Sequence, residues 1–338
     1  MSNFVDVVGL VNSVLGFLAF AESNFPSGPI HTPSGTVQVA AGFATNSYIN
    51  PNTYQTSAPQ PFAANQDPDG NIFNVMAYDE KKDPITDETP KFSLQAGGTT
   101  DVTLSTAGGK DMSYIQIVGG DNGVCISWFT ATWPDGSQYI FPGDWFYICK
   151  VKDLFGSPWN EWYYGNRQAG QFKPGTDAQS KRPWFPYCGW LDNDHTCGHR
   201  IGTIIVDVDY VQTVLNQNVE DTCLHHIWWG VDPAHFVNPS GVPGNGIISP
   251  GPIKNIPPGG PGTKSCTKKR AAEKKDIRLV RSDIWSHNAT DLCMSDHSRG
   301  PDFVSLVEGM YCDMDTRKLT PLCHGSALRT ASASMKTN

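Results

Sequence analysis

The sequence has few charged residues and few long apolar runs. Charged side chains make up 17% of the 338 residues, against the ~25% usual for soluble proteins, while aromatic residues make up 11%. Few charges together with many aromatic rings exclude a mainly disordered chain. Beyond the N-terminus no apolar run reaches ~18 residues, which excludes a bundle of membrane-spanning helices. The absence of a Gly-X-Y period excludes collagen.

Basic residues are missing from the start of the chain, where Lys81 is the first. Residues 1–263 carry 12 Lys/Arg against 24 Asp/Glu, whereas residues 264–338 carry 13 against 9. The net charge of −8 argues against a nucleic-acid partner. The uneven distribution predicts two units with different roles.

Residues 1–29 form an apolar N-terminal segment that also lacks Lys and Arg. Two interpretations remain open. Apolar side chains in residues 4–20 recur with helical spacing, which favours a retained amphipathic helix that contacts a membrane or a partner. The small-x-small triplet that ends at Ala21 instead favours a signal peptide cleaved at that point.

Short alternating strands separated by turns dominate residues 30–235 and predict an antiparallel β-sandwich-like domain. We expect a strand at residues 145–150 among others. Both faces of the strand at 123–133 are largely apolar, so it is predicted to be central, with Trp128 in the core. Strand–helix alternation is absent, which argues against a doubly wound fold.

The second unit is predicted to follow a linker at residues 236–281. Residues 238–263 contain seven Pro and seven Gly, and a basic run follows. The dibasic pair Lys269-Arg270 is a candidate processing site, with a plain solvated stretch or a nuclear-targeting signal as the alternatives. Residues 282–323 form a small cysteine-containing module, and residues 324–338 a polar, disordered tail.

Nine cysteines favour an oxidising compartment. Residues 310–323 are expected to form a hairpin in which residue 312 lies opposite residue 321. In that register Cys312 and Cys323 are too far apart to bond directly. We therefore predict that Cys312 pairs with Cys293, and Cys323 with Cys266. For the upstream cysteines, Cys149 with Cys188 is the first choice.

Seven Trp residues lie between positions 128 and 190. Flat rings can stack on sugar faces or serve as core anchors. The residues predicted to form an exposed ligand-binding platform are Trp159, Trp162, Tyr163 and Tyr164.

Motifs for nucleophilic catalysis are absent, so no catalytic residue is predicted. Asp144, Glu161 and Asp192 lie among aromatic residues, as a glycosidase pair would. The Cys and His spacings do not fit a zinc site, and the Asp-rich turns do not continue into a calcium loop. No metal and no cofactor are therefore predicted. The sequon at Asn288 is a candidate glycosylation site.

Two segments resemble a group of uncharacterised exported proteins from filamentous fungi. The resemblance rests on Thr132-Trp133-Pro134-Asp135-Gly136 with its surroundings, and on Gly300-Pro301-Asp302-Phe303-Val304-Ser305 with the Cys312 and Cys323 motifs that follow. It implies an extracellular or cell-surface location but supplies no reaction.

Taken together, these patterns predict a non-enzymatic protein outside the cell, with a binding or structural role, and the resemblance implies a fungal source. Cell-wall glycan and another surface protein are the candidate partners. A secreted polysaccharide hydrolase is the first alternative. An intracellular protein that docks through its N-terminal helix is the second.

Overall fold

The computed structural model describes residues 34–42, 70–87, 89–106, 110, 112–149, 161–165, 170–172, 182–193, 201–208, 210, 221–230, 247–248 and 279–322. The predictions for residues 1–29 and 324–338 lie outside this part of the chain. In chain order the elements are β1 Ser34–Ala41, β2 Gly70–Tyr78, β3 Phe92–Leu94, β4 Thr99–Ser105, β5 Tyr114–Gly119, β6 Val124–Thr132, β7 Gln138–Pro142, α1 Asp144–Ile148, β8 Trp162–Tyr164, β9 Gly170–Phe172, β10 Arg182–Trp184, β11 Tyr187–Leu191, β12 Thr203–Asp207, a π-helical turn Thr222–His226, β13 Ile227–Gly230, β14 Ile247–Ile248, β15 Leu279–Ser282, α2 Ala289–Met294, β16 Asp302–Ser305, β17 Met310–Asp313 and β18 Lys318–Pro321.

The chain is mainly β, as the alternating patterns predict. One six-stranded antiparallel sheet, sheet 1, has the order β4-β1-β6-β11-β8, and β7 also pairs with β6. A second six-stranded sheet, sheet 2, has the order β14-β13-β12-β5-β2-β3. Strands β9 and β10 form a separate two-stranded sheet. We refer to sheets 1 and 2 with α1 as the sheet domain.

The main core contains inward-facing side chains of both sheets. Sheet 1 contributes Val37 and Phe129 among others, and sheet 2 contributes Ile117 and Ile204. Along β12 and β13, Ile205 and Trp228 point to the opposite side and join a smaller cluster with Met76 and Tyr78. This alternation is the pleat of a strand that is covered on both faces.

Strand β6 is central, as predicted. It pairs with β1 on one edge and with β7 and β11 on the other, and its residues are buried up to Ala131. Trp128 exposes 0% of its surface and packs against Ala40 and Ile140.

The expected strand at 145–150 is wrong, because residues Asp144–Ile148 form the short helix α1. The amide of Phe146 donates to the carbonyl of Gly143, which starts a turn directly after β7. The Phe146 ring then packs where a Cβ atom at Gly189 would otherwise stand. The helix thus places the Phe146 ring directly against the backbone of Gly189. Strand propensity does not report such a tertiary contact.

The C-terminal residues 279–322 form a separate four-stranded sheet with the order β15-β16-β17-β18, which packs with α2. We call these residues the C-terminal module. Strand β15 pairs in parallel with β16 and starts at Leu279, inside the segment predicted to be linker. That segment also contributes β14, which pairs with β13. The predicted linker therefore contains β14 and most of β15, and residues 236–246 and 249–278 lie outside the described part of the chain.

The hairpin of β17 and β18 forms, but its register differs from the expected one. Cys312 lies opposite Leu319 rather than residue 321, because the loop spans residues 314–317. Arg317 occupies the left-handed region with φ of 58° and closes this loop. The predicted Cys293–Cys312 disulfide is nevertheless present and joins α2 to β17.

Two further disulfides lie in the sheet domain. Cys125–Cys188 links β6 to β11, and Cys149–Cys223 links the residue after α1 to the π-helical turn. The predicted Cys149–Cys188 pair is wrong, because β6 and β11 are neighbours and bring Cys188 to Cys125 instead. Cys266 and Cys323 lie outside the described residues. Among the described helices, none is long and apolar enough to cross a membrane.

Candidate functional site

The aromatic residues expected to form an exposed platform are buried. Trp162, Tyr163 and Tyr164 make up β8 and expose 0%, 0% and 2% of their surface. Their predicted role as exposed ligand-binding residues is therefore wrong, and Trp159 lies outside the described residues. The C-terminal module covers β8. The contacting residues are far apart in sequence, by 124 positions in one hydrogen bond and 138 in another. Local spacing cannot report contacts over such distances.

The two β8 tyrosines bind the backbone of the C-terminal module. The Tyr163 hydroxyl donates to the carbonyl of Pro301 at 2.9 Å. The Tyr164 hydroxyl donates to the carbonyl of Asn288 and accepts from its amide, both at 2.9 Å. Burial raises the pKa of both tyrosines well above the usual value. Both hydroxyls therefore stay protonated and keep donating over the physiological pH range.

A second set of bonds extends sheet 1 into the module. The amide of Trp162 donates to the carbonyl of His297 at 3.3 Å, and the amide of Arg299 donates to the carbonyl of Trp162 at 3.1 Å. The indole of Trp190 donates to the carbonyl of Arg299 at 2.8 Å. Residues 297–299 thus lie along β8 like a short additional strand, with a parallel bridge between Trp162 and Ser298.

His287 lies at the centre of the apolar part of this contact. Its ring stacks on Tyr164, with 4.3 Å between centroids, and Phe303 packs beside both rings. The Ser282 hydroxyl lies 2.8 Å from its Nδ1. Burial lowers the pKa of His287 to about 3, so the imidazole is neutral at pH 7. The Ser282–His287 pair resembles a catalytic dyad in composition, yet both residues are buried, which favours a structural role.

The carboxylates considered as a glycosidase pair are buried as well. Asp144, Glu161 and Asp192 expose 7%, 1% and 0% of their surface. Glu161 forms an ion pair with Arg299 of the C-terminal module, with 3.5 Å between Oε1 and Nε. Asp144 accepts from the amide of Tyr187 at 3.4 Å. These positions suit structural contacts rather than attack on a polymer from solvent.

A partly exposed polar cluster lies at the end of β12 and in the π-helical turn. His226 Nδ1 is 2.9 Å from Asp207 Oδ2, and His226 Nε2 is 3.9 Å from Asp221 Oδ2. The Tyr210 hydroxyl donates to Asp221 at 2.5 Å, and its ring stacks on the His226 ring. His225 Nε2 lies 3.9 Å from Asp221 Oδ1. We call these five residues the Asp207 cluster.

The chemistry of the Asp207 cluster suits polar contacts. The bond to Asp221 is the main cause that raises the pKa of Tyr210 to about 12, so the phenol remains a donor at neutral pH. The side chains of Asp207 and His226 are mostly buried, with 15% and 21% exposed, while those of His225 and Asp221 are 62% and 42% exposed. The cluster therefore combines two hydrogen-bond acceptors, the carboxylates of Asp207 and Asp221, with the stacked rings of Tyr210 and His226.

Aromatic and basic groups border the Asp207 cluster. Tyr114 lies opposite Asp207 across β5 and β12, and its ring makes an edge contact with Trp228. The ammonium of Lys82 lies 5.7 Å from the Tyr114 centroid and 5.4 Å from that of Trp228. The sequence shows the adjacent His225-His226 pair, but not that Asp207 and Asp221 converge on it.

The sequon residue Asn288 precedes α2 at the border of the module contact. Its side-chain amide donates to Asp291 at 3.3 Å in an exposed position. The Thr290 hydroxyl donates to Glu308. The side chain that would carry a glycan is therefore partly accessible, while its backbone is bound by Tyr164.

In the described part of the chain, no group of three or more His, Cys, Asp or Glu residues is arranged to hold a metal ion. No family model and no curated protein matches the sequence. Solved structures of Delta413-417:GS LOX, one of them in complex with arachidonate, are similar to 32% of this chain at 17% identity, with a TM-score of 0.22. The chain covers only 14% of the length of those proteins. This likeness carries no argument about fold or function.

Proposed function

We propose that this protein is exported and acts outside the cell or at its surface, in a binding or structural role. The observation that carries the proposal is the set of three disulfides, whose six cysteines expose at most 6% of their surface. Disulfides form and persist in oxidising compartments and are rare where thiols are kept reduced. The resemblance to exported fungal proteins supports the same location.

Because β8 is buried, the Asp207 cluster is the proposed ligand-binding surface. A glycan presents hydroxyl donors, which carboxylates accept, and C–H faces, which pack on rings. Asp207 and Asp221 supply the acceptors, and Tyr210 and Tyr114 supply the neighbouring rings. We therefore propose this cluster as the contact surface for a cell-wall glycan, with another surface protein as the alternative partner.

The experiment for location is the intact mass of native protein from culture fluid, with and without reductant. Export predicts protein in the fluid whose mass increases by about six hydrogens when the three described disulfides are reduced. The same spectrum reports cleavage after Ala21 and after Arg270. A glycan on Asn288 would add mass that the Asn288→Gln variant loses. Protein found only in cells, with free thiols, would contradict the proposal.

The experiment for binding is retention on an array of cell-wall glycans. The Asp207→Asn and Tyr210→Phe variants should each weaken retention about tenfold, because each loses one polar contact of the cluster. Asp101→Asn is the matched control, since Asp101 is an exposed carboxylate on sheet 1. Equal retention of all three variants would exclude the cluster as the glycan surface.

A further inference from the structure

The C-terminal module packs tightly on the sheet domain. None of the described disulfides links the two units. Cys125–Cys188 and Cys149–Cys223 lie within the sheet domain, and Cys293–Cys312 lies within the module. In sequence, residues 249–278 separate Ile248 from Leu279 and contain the dibasic pair Lys269-Arg270. Among the described residues, the contact itself is therefore what would hold the two units together after a cut in this stretch. The predicted Cys266–Cys323 pair lies outside the described residues and would add a covalent link.

The module has its own internal ties. Besides Cys293–Cys312, the Arg317 guanidinium donates to the carbonyl of Leu292 at 2.8 Å and to the Ser298 hydroxyl at 2.6 Å. The Ser305 hydroxyl donates to the carbonyl of His287 at 2.7 Å. These bonds lie within the module and hold the segment 287–305 that meets β8. A preorganised surface loses less entropy on binding.

The contact has the features of a strong binding site. Three buried aromatic donors, Tyr163, Tyr164 and Trp190, bind main-chain carbonyls of the module. Buried tyrosine and tryptophan side chains that fill pockets carry most of the binding energy in protein interfaces. If the units separated, these donors and the paired Glu161 would lose their partners, which makes separation costly.

Gly300 makes the close approach possible. Its φ of 150° lies outside the range that other residues favour, and a Cβ atom there would lie 2.5 Å from Cδ2 of Tyr163. Ring and backbone are therefore in direct contact at this point. A residue with a side chain at position 300 would collide with the Tyr163 ring, so the contact requires glycine there.

From these contacts we propose that the C-terminal module is a docking unit that remains bound to β8 and β11 as a separate chain. A protease that cuts after Lys269-Arg270 would then produce a two-chain protein held by the module contact, rather than two free products. The proposal depends neither on export nor on a glycan ligand, so either can fail independently.

The test uses the full chain with a site-specific protease sequence inserted between Thr263 and Lys264. Cys266→Ser and Cys323→Ser are included so that these cysteines cannot link the pieces. After the folded protein is cut, size-exclusion chromatography should show residues 1–263 and 264–338 eluting together. Separate elution of the small piece would overturn the proposal.

Two glycine variants test whether the contact on Tyr163 is responsible. Gly300→Ala should release the small piece after the cut, because the new methyl group collides with the ring. Gly309→Ala is the matched control: Gly309 is also at positive φ, 71°, but lies in the turn that closes by its amide donating to Ser305. Co-elution that is equally strong in both variants would contradict the assigned surface.

A milder variant covers the case in which Gly300→Ala fails to fold. Tyr163→Phe combined with Tyr164→Phe keeps both rings and removes only the two hydroxyls. We expect the cut pieces to bind at least tenfold more weakly, because the partly buried backbone groups of Asn288 and Pro301 lose their partners. Unchanged affinity in this variant would show that the tyrosine bonds do not hold the module.

Discussion

The sheet domain and the C-terminal module are stabilised in different ways. The sheet domain encloses an apolar core between two six-stranded sheets, and its central strand is covered on both faces. The module has only four short strands and one short helix, too little for a large core of its own. It relies on a disulfide, on Arg317 and on β8 of the sheet domain.

Arg317 shows how a small unit adds polar contacts to its apolar burial. Its guanidinium binds carbonyl and hydroxyl oxygens at Leu292 and Ser298, which ties the hairpin loop to the segment after α2. Burial lowers its pKa to about 10, so the side chain stays charged at neutral pH. Small units need such ties because their buried area alone barely offsets the entropy of folding. The comparison predicts that core losses damage the sheet domain, whereas polar and covalent losses damage the module.

The largest effect is expected for Trp128→Ala. Removing a fully buried Trp side chain from the central strand should lower the free energy of unfolding by about 3–5 kcal/mol. Reversible urea unfolding measures this change. Trp285→Ala is the matched control, since Trp285 in the module is 45% exposed and its loss should cost far less. Similar costs for both variants would contradict the assignment of β6 as the central strand.

Removal of the Cys293–Cys312 disulfide comes next. Cys293→Ser with Cys312→Ser should lower the stability of the module by about 2–4 kcal/mol, because the unfolded chain gains freedom. Hydrogen exchange should show faster exchange in residues 279–322 with little change in β1, β5 and β6. If amide hydrogens in both units lost protection from exchange to the same extent, the two units would unfold together, which would contradict their separate stabilisation.

Much of the architecture could be predicted from the sequence. The alternation around Trp128 predicts a central strand. The Cys293–Cys312 bond is also predicted, although from a hairpin register that differs by two residues from the one observed. Residues 144–148 and the pairing of Cys149 could not be predicted, because both depend on which strands become neighbours. Those are tertiary contacts that local propensity does not report.

Acid should weaken the module contact through His287. Its pKa is about 3 in the folded protein, compared with the ordinary value of 6.5, so the folded state resists protonation. Stability from the neutral ring is complete above pH ~6.5 and is lost as the pH falls toward 3. Between pH 7 and pH 4 we expect the free energy of unfolding to fall by about 3 kcal/mol through this group.

Urea unfolding at the two pH values, compared between the wild type and His287→Phe, measures this effect. Phenylalanine keeps a ring against Tyr164 but cannot be protonated, so the variant should lack this part of the pH dependence. The carboxylates titrate in both proteins, so their contribution to the pH dependence cancels when the two are compared. Parallel pH dependences would show that His287 is not buried at the contact.

The smallest effect is expected for Lys91→Ala. Its ammonium lies 3.0 Å from Asp121, but the two side chains are 41% and 68% exposed. Water and salt screen such a pair, so its loss should change the free energy of unfolding by less than about 1 kcal/mol. Urea unfolding at low and high salt checks this value, and a larger, salt-independent loss would contradict it.

The candidate site was harder to predict than the fold. The sequence shows a run of aromatic residues at 162–164, but not that residues 287–303 bury them. It shows His225-His226, but not that Asp207 and Asp221 meet them. The contacts that bury β8 and that bring Asp207 to His226 join segments distant in sequence and carry no local signal, whereas Asp221 lies four residues before His225, a spacing that the sequence does show.

The most direct test of the central claim, a disulfide-bonded protein that works outside the cell, is peptide mapping of secreted protein without reduction. The account predicts linked peptides for Cys125–Cys188, Cys149–Cys223 and Cys293–Cys312. Free thiols at these six positions, or a linked Cys149–Cys188 peptide, would contradict it.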